Sequence, residues 1–314
     1  MKDMEVAESL FREWGLSYLK REHPKLVDGI AAGRIVGAEL RNGHAAMLGT
    51  HSAVPRVTSS PQLTAGPQFT LFLSETDFVG YSPALAAELN AAVPDTWKGH
   101  AVACPGDKPV QVVSTRRWFA EHFGLYDFPL GVGPWLQLDE SRLYALKHAA
   151  IWMDETGELG VWREVLSRYP DAVRMKRLAE ECFRVWQYGQ DCFLLDVAPR
   201  LDVLSASIGF GQFIEGVMRL TLLLNDDFTP HWRWLAQEFG KQEDAARLEP
   251  LLTSLLASME VTEQVAKVEE LCAIVRQMLE DRGAITGAHD KPALPSLLNA
   301  YNELKETAGR LLNL

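Results

Sequence analysis

Residues 205–224 are apolar on almost every side, carrying Ile208, Phe210, Phe213, Ile214, Val217, Met218, Leu220, Leu222, Leu223 and Leu224. A helix that is apolar all round is either the central helix of a bundle or a membrane span. Gln212, Glu215 and Arg219 interrupt the run, and each charge is expensive in lipid. The stretch is therefore expected to be the buried helix of a bundle. No segment offers about 18 uninterrupted apolar residues, so no membrane span is expected.

The neighbouring periodicities fit that bundle. Met175, Leu178, Cys182 and Trp186 form one face over residues 171–187, while Arg174, Arg177, Glu181 and Arg184 fall elsewhere. Asp171, after Pro170, suits an N-cap or a first helical turn. Residues 141–153 and 162–168 read as helices, and Pro230 opens another over 231–239 with Trp232 and Trp234. Val261, Val265, Val268, Leu271, Val275 and Met278 make a stripe, as do Leu297, Tyr301, Leu304, Ala308 and Leu311 after a break at 283–295. These last segments either complete an intramolecular bundle or form a dimer interface. Neither is a long regular heptad array.

The first part of the chain has a different texture. Residues 3–32 read as largely helical, with Val6, Leu10, Trp14 and Tyr18 on one stripe. Residues 35–40 and 45–48 read as strands around Arg41-Asn42-Gly43, a hairpin signal. Residues 69–73 and 110–113 read as further strands, 83–92 as a helix, and 116–123 as a helix capped by Ser114 or Thr115 and stopped by Gly124. This order gives an α+β protein: a small mixed sheet domain over 1–135, a helical bundle over 136–242 and a helical extension over 243–314.

Composition narrows the function classes. The chain has 314 residues, 47% hydrophobic and 23% charged, with a formal net charge of -11. Nucleic-acid binding needs a surplus of Lys and Arg, so no nucleic-acid partner is expected. Cys104, Cys182, Cys192 and Cys272 have no C-x-x-C spacing, which fits reduced thiols in a cytoplasm and no zinc site. The charged start Met1-Lys2-Asp3-Met4-Glu5 carries no signal-peptide pattern. There is no Walker loop, no G-x-G-x-x-G after a strand, no nucleophile elbow and no H-E-x-x-H. Gly209-Phe210-Gly211 falls inside the long apolar helix, where glycines serve close packing. No cofactor and no metal are expected.

The loop over residues 48–73 carries the functional signal. It holds Gly49-Thr50, then His51, Arg56, Gln62 and Thr64, then Gly66-Pro67 and the strand 69–73. Further on stand Asp171-Ala172-Val173-Arg174-Met175-Lys176-Arg177-Leu178-Ala179, Gly189-Gln190, Leu224-Asn225 and Pro230-His231-Trp232-Arg233-Trp234. In this order the chain resembles, over roughly residues 5–240, a bacterial family of unknown function in the nucleotidyltransferase superfamily. Its members look like a kanamycin-nucleotidyltransferase-type catalytic domain joined to a helical substrate domain.

The resemblance implies acids at set places, and this sequence departs at each. The family's Asp-Asp pair falls on Arg56-Val57, its Asp-His-Asp on Gln62-Leu63-Thr64, and a later acid on Gln111. Nucleotidyl transfer needs carboxylates to hold divalent metal against a triphosphate. Gln62, Thr64 and Gln111 keep side-chain oxygen without the charge, and Arg56 adds a cation. Glu75 and Asp77 have D-x-D-like spacing but follow the strand, roughly 17 Å beyond the loop at about 3.3 Å per residue.

The leading expectation is thus a cytoplasmic, degenerate nucleotidyltransferase-fold protein that binds a small molecule or protein partner in an interdomain cleft. Gln62, Thr64, Gln111, Arg174, Lys176, Gln190, Asn225 and Arg233 are the candidate ligand contacts. The alternative is a metal-independent enzyme of a specialised biosynthetic pathway with His51 and Arg56 as catalytic candidates, since a loop imidazole can act as a general base. A third reading is a structural partner docking, or pairing as a homodimer, through the helices after Glu243. The plainer reading of each polar candidate is a surface charge or a structural hydrogen bond, and of the tryptophans, core packing.

Overall fold

The structure is a computed structural model that describes residues 2–23, 33–35, 38–40, 45–50, 68–94, 96–98, 100–101, 110–154, 157–287, 290–291 and 294–312. The chain divides into two compact units, one of residues 1–129 and 145–167, the other of residues 130–144 and 168–314. The first is α+β and the second helical.

The first unit opens with helix α1 (Lys2–Glu22), whose Trp14 and Leu19 are buried. Strands β1 (Gly33–Ile35) and β2 (Ala38–Leu40) pair antiparallel with each other. The main sheet has four strands: β3 (Ala45–Thr50), β4 (Gln68–Leu73), β7 (Val110–Ser114) and β8 (Ala150–Asp154), in the order β7-β4-β3-β8. A short pair, β5 (Thr96–Trp97) and β6 (His100–Ala101), stands apart. In the main sheet only β4 and β7 run parallel. A parallel pair needs a crossover, and helix α2 (Glu75–Ala92) lies within it. Leu85 and Leu89 of α2 join Trp14, Leu19, Leu71, Leu73, Val110 and Trp152 in one core. Glu88 ties α1 to α2, accepting from Tyr18 at 3.1 Å and lying 2.8 Å from His23 Nε2.

Two helix starts follow from single side chains. Ser74 caps α2 by accepting from the Asp77 amide at 3.2 Å. Ser114 caps α3 (Thr115–Phe123) by accepting from the Arg117 amide at 3.3 Å, and Gly124 ends α3 at φ 69°. Only a residue without a Cβ adopts that conformation freely. Phe119 of α3 stacks on Trp162 of α6 (Glu158–Leu166), with ring centroids 4.1 Å apart.

Two local expectations are corrected. The hairpin expected around Asn42-Gly43 is not seen among the described residues: β2 pairs with β1, and β3 pairs with β4 and β8. The helix expected over 141–153 stops early, as α5 (Glu140–His148), and the chain continues as β8. Ile151 and Trp152 suit a pleated, half-buried surface. Burial of Trp152 in the sheet core outweighs the local helical pattern.

The second unit begins with α4 (Val132–Gln137) and the first half of α5. Helix α7 (Asp171–Val185) follows and runs on through π-helical turns, Trp186–Asp191 and Phe193–Val197. Next come α8 (Val203–Leu224), α9 (Trp232–Phe239), α10 (Ala245–Ala257), α11 (Val261–Asp281) and α12 (Ser296–Leu312). Helix α7 packs against α8 and along α12. Leu297, Ala300, Leu304 and Ala308 of α12 are buried, so this stripe serves the unit's own core. At Gly189 in the π-helical turn, a Cβ would lie 2.6 Å from the Phe213 ring, which explains the glycine.

Helix α8 is buried in only part of its length. Leu220, Leu222, Leu223 and Leu224 are buried, but Val203, Leu204 and Ile208 are 64%, 79% and 71% exposed. By length and composition α8 alone among the described helices could cross a membrane.

Candidate functional site

The most concentrated polar chemistry in the helical unit lies between α5, α7 and α8. Arg219 of α8 is its hub. Its Nε donates to Glu181 of α7 at 2.9 Å, Nη2 to Glu140 of α5 at 3.0 Å, and Nη1 to Glu215 at 3.3 Å. The second oxygen of Glu181 lies 2.9 Å from Arg184 Nε. Glu140 accepts from the Tyr169 hydroxyl at 2.9 Å, and its carboxylate lies 3.8 Å from Arg177. Arg177 also donates to Glu180 at 3.0 Å and to the Leu136 carbonyl at 3.4 Å.

Burial shapes the charges here. Glu181 is 5% exposed as a residue, and desolvation raises its carboxyl pKa against the pull of Arg219 and Arg184. Burial works against the charge on Arg219, but Glu181, Glu140 and Glu215 outweigh it and hold the guanidinium protonated. Burial, followed by the Glu140 charge, pushes the Tyr169 hydroxyl up, so it stays a donor. The arrangement can lock three helices in one register. Its strongest donors and acceptors are already spent on each other.

Of the predicted contacts, those described in the helical unit each make separate local contacts. His51, Arg56, Gln62 and Thr64 lie outside the described residues. Gln111 is exposed on β7, opposite Thr70 in the parallel β4–β7 pair. In the helical unit, Lys176 pairs with Glu180 one turn on at 2.6 Å. Arg233 is exposed over the Trp232 ring, 5.6 Å from its centroid. Gln190 accepts from the Leu297 amide at 3.3 Å, satisfying an otherwise orphan donor in the first turn of α12. Asn225 closes α8: its Nδ2 donates to the Thr221 carbonyl at 2.9 Å and its Oδ1 accepts from Arg282 at 3.1 Å.

One predicted residue belongs to a small cluster. Arg174 Nε lies 2.8 Å from Asp226, and Arg168 reaches the same carboxylate at 3.7 Å. Asp226 sits at φ 55°, just past the end of α8. Glu75 and Asp77 are engaged at helix starts: Glu75 accepts from Ser114 and from Arg117 (2.7 Å to Nε), and Asp77 accepts from Ser74 at 2.7 Å.

Sequence reasoning missed Glu140, Tyr169, Glu181 and Arg219. The available signal is a charge inside an apolar helix: Arg219 in α8 needs an acid partner, and Glu181 falls off the apolar face of residues 171–187. Among the described residues, no three His, Cys, Asp or Glu side chains gather as a metal ligand set. Two open depressions of about 530 Å³ occur, one beside Arg247, Leu251, Glu270 and Ile274, the other beside Lys147, Gly160, Arg163 and Ser167. Neither is lined by a predicted contact residue.

Residues 135–235 match the model of a domain of unknown function, DUF4037. That span contains the whole Glu140–Arg219 network and the Arg174–Asp226 pair. A nucleotidyltransferase-like protein from Exiguobacterium sibiricum 255-15, solved at 1.90 Å resolution, aligns with 85% of this chain and 84% of its own at 10% identity, with a TM-score of 0.35. None of the curated proteins matches this chain.

Proposed function

We propose that this protein is a nucleotidyltransferase-fold protein that has lost metal-dependent nucleotidyl transfer and acts by binding a small molecule or a protein partner. The observation that carries the reading is Gln111. It stands exposed on β7, paired in parallel with β4, where the family resemblance calls for a carboxylate. A carboxamide offers an oxygen but no charge, and a divalent cation beside a triphosphate needs the charge. Gln62 and Thr64 make the same exchange in the sequence. Within this reading Arg174, Lys176, Asn225 and Arg233 serve first as helix and loop supports, because each already has an intramolecular contact.

Calorimetric titration with Mg-ATP, run beside an assay for incorporation of labelled nucleotide into acceptor mixtures, tests the proposal. The expected result is no magnesium-dependent binding and no incorporation. Tight magnesium-dependent binding accompanied by nucleotide transfer overturns it.

A further inference from the structure

The first half of α8 presents a face that none of the described residues covers. Leu204 and Ile208 lie one turn apart on it at 79% and 71% exposure, with Val203 and Leu201 beside its start at 64% and 67%. Ser207 and Gly211 lie on the same face and are exposed. A Cβ added at Gly209 or Gly211 would meet nothing within 4 Å, so packing inside the chain does not explain either glycine. Mid-helix glycines weaken a helix. On an exposed apolar face, small residues admit the backbone of another helix.

We propose that this face pairs with the same face of a second copy, the two α8 helices running antiparallel about a two-fold axis between Ser207 and Ile208. A two-fold interface must be complementary to itself. With the axis there, Leu204 of one copy meets Gly211 of the other, and Ile208 meets Ser207, so each large side chain faces a small one. The face carries no charge from Val203 to Ile214, so no like charges meet across the axis. The apolar centre is small: Leu201, Val203, Leu204 and Ile208 are 67%, 64%, 79% and 71% exposed, which leaves roughly 300 Å² per copy at about 100 Å² for each fully exposed aliphatic side chain. That is below the ~800 Å² per partner of an ordinary stable interface, so the pairing is reversible. A lipid surface fits less well, because Asp196, Asp202 and a net charge of -11 oppose an anionic membrane.

Sedimentation equilibrium of the full chain over a concentration series tests the pairing. The expected result is a reversible dimer. The double substitution Leu204→Glu and Ile208→Glu abolishes it with the far-UV spectrum unchanged. Gly211→Leu weakens it by about tenfold or more while leaving the monomer's melting temperature unchanged or higher, since leucine favours the helix. Under mild oxidation Ser207→Cys links the two copies. The proposal is overturned if the chain is a monomer at every concentration, including one that binds phosphatidylcholine vesicles with or without phosphatidylserine. It is equally overturned by a dimer that survives both sets of substitutions, which places the interface on another face.

Discussion

Glu181 and Arg219 meet at 2.9 Å between α7 and α8, and Glu181 is nearly inaccessible there. An acid this deep beside a half-buried guanidinium is tolerated because each has further partners: Arg184 for the acid, Glu140 and Glu215 for the base. Taking one member away leaves the other in a poorly solvating interior. Arg219→Ala is expected to cost about 3 kcal/mol of unfolding free energy, the range for breaking a buried pair. Glu181→Gln keeps the shape and an acceptor oxygen and is expected to cost about 1 kcal/mol. Urea denaturation of both variants and their double checks the ranking, and strong non-additivity is the signature of direct contact.

Gly189 has no room for a side chain. A Cβ would fall 2.6 Å from Phe213 and 3.3 Å from Cys272 Sγ. Gly189→Ala improves helix propensity, yet overpacking is expected to destabilise by about 1–3 kcal/mol. A melting temperature above that of the parent protein would show that the π-helical turn relaxes instead.

Glu75 sets an acid limit for the sheet unit. Hydrogen bonds from Ser114 and Arg117 hold its carboxyl below the ordinary 4.5. A depressed carboxyl contributes stability that is present above its unfolded pKa and is lost as pH falls through its folded pKa. Acid unfolding of Glu75→Gln is therefore expected to show a shallower loss of stability below the ordinary carboxylate range, with lower stability at neutral pH. Identical pH profiles for the two proteins would remove this role.

The described thiols differ in access. Cys182 and Cys272 are buried and Cys192 is partly exposed. Burial pushes the Cys182 thiol up to about 12, which suppresses the reactive thiolate. An aromatic disulfide reagent is expected to modify Cys192 well before Cys182 and Cys272, and those two only on unfolding. Mass spectrometry of the labelled peptides reads the order.

The sequence by itself determined much of the local structure. Ser114 and Gly124 bracket α3 as their chemistry requires, because a hydroxyl cap and a left-handed glycine act within one turn. The apolar run ending at Leu224 and the stripe Leu297, Leu304 and Ala308 announced buried helices, because periodicity records which face meets the core. Tertiary structure alone decided the rest. It turned residues 150–154 from helix into the edge strand of the main sheet, since strand pairing and the burial of Trp152 are non-local. Glu181 was drawn inward to meet Arg219, thirty-eight residues away in sequence. The same packing left Leu204 and Ile208 in solvent on a helix whose composition reads as buried throughout, because burial depends on what another part of the chain covers.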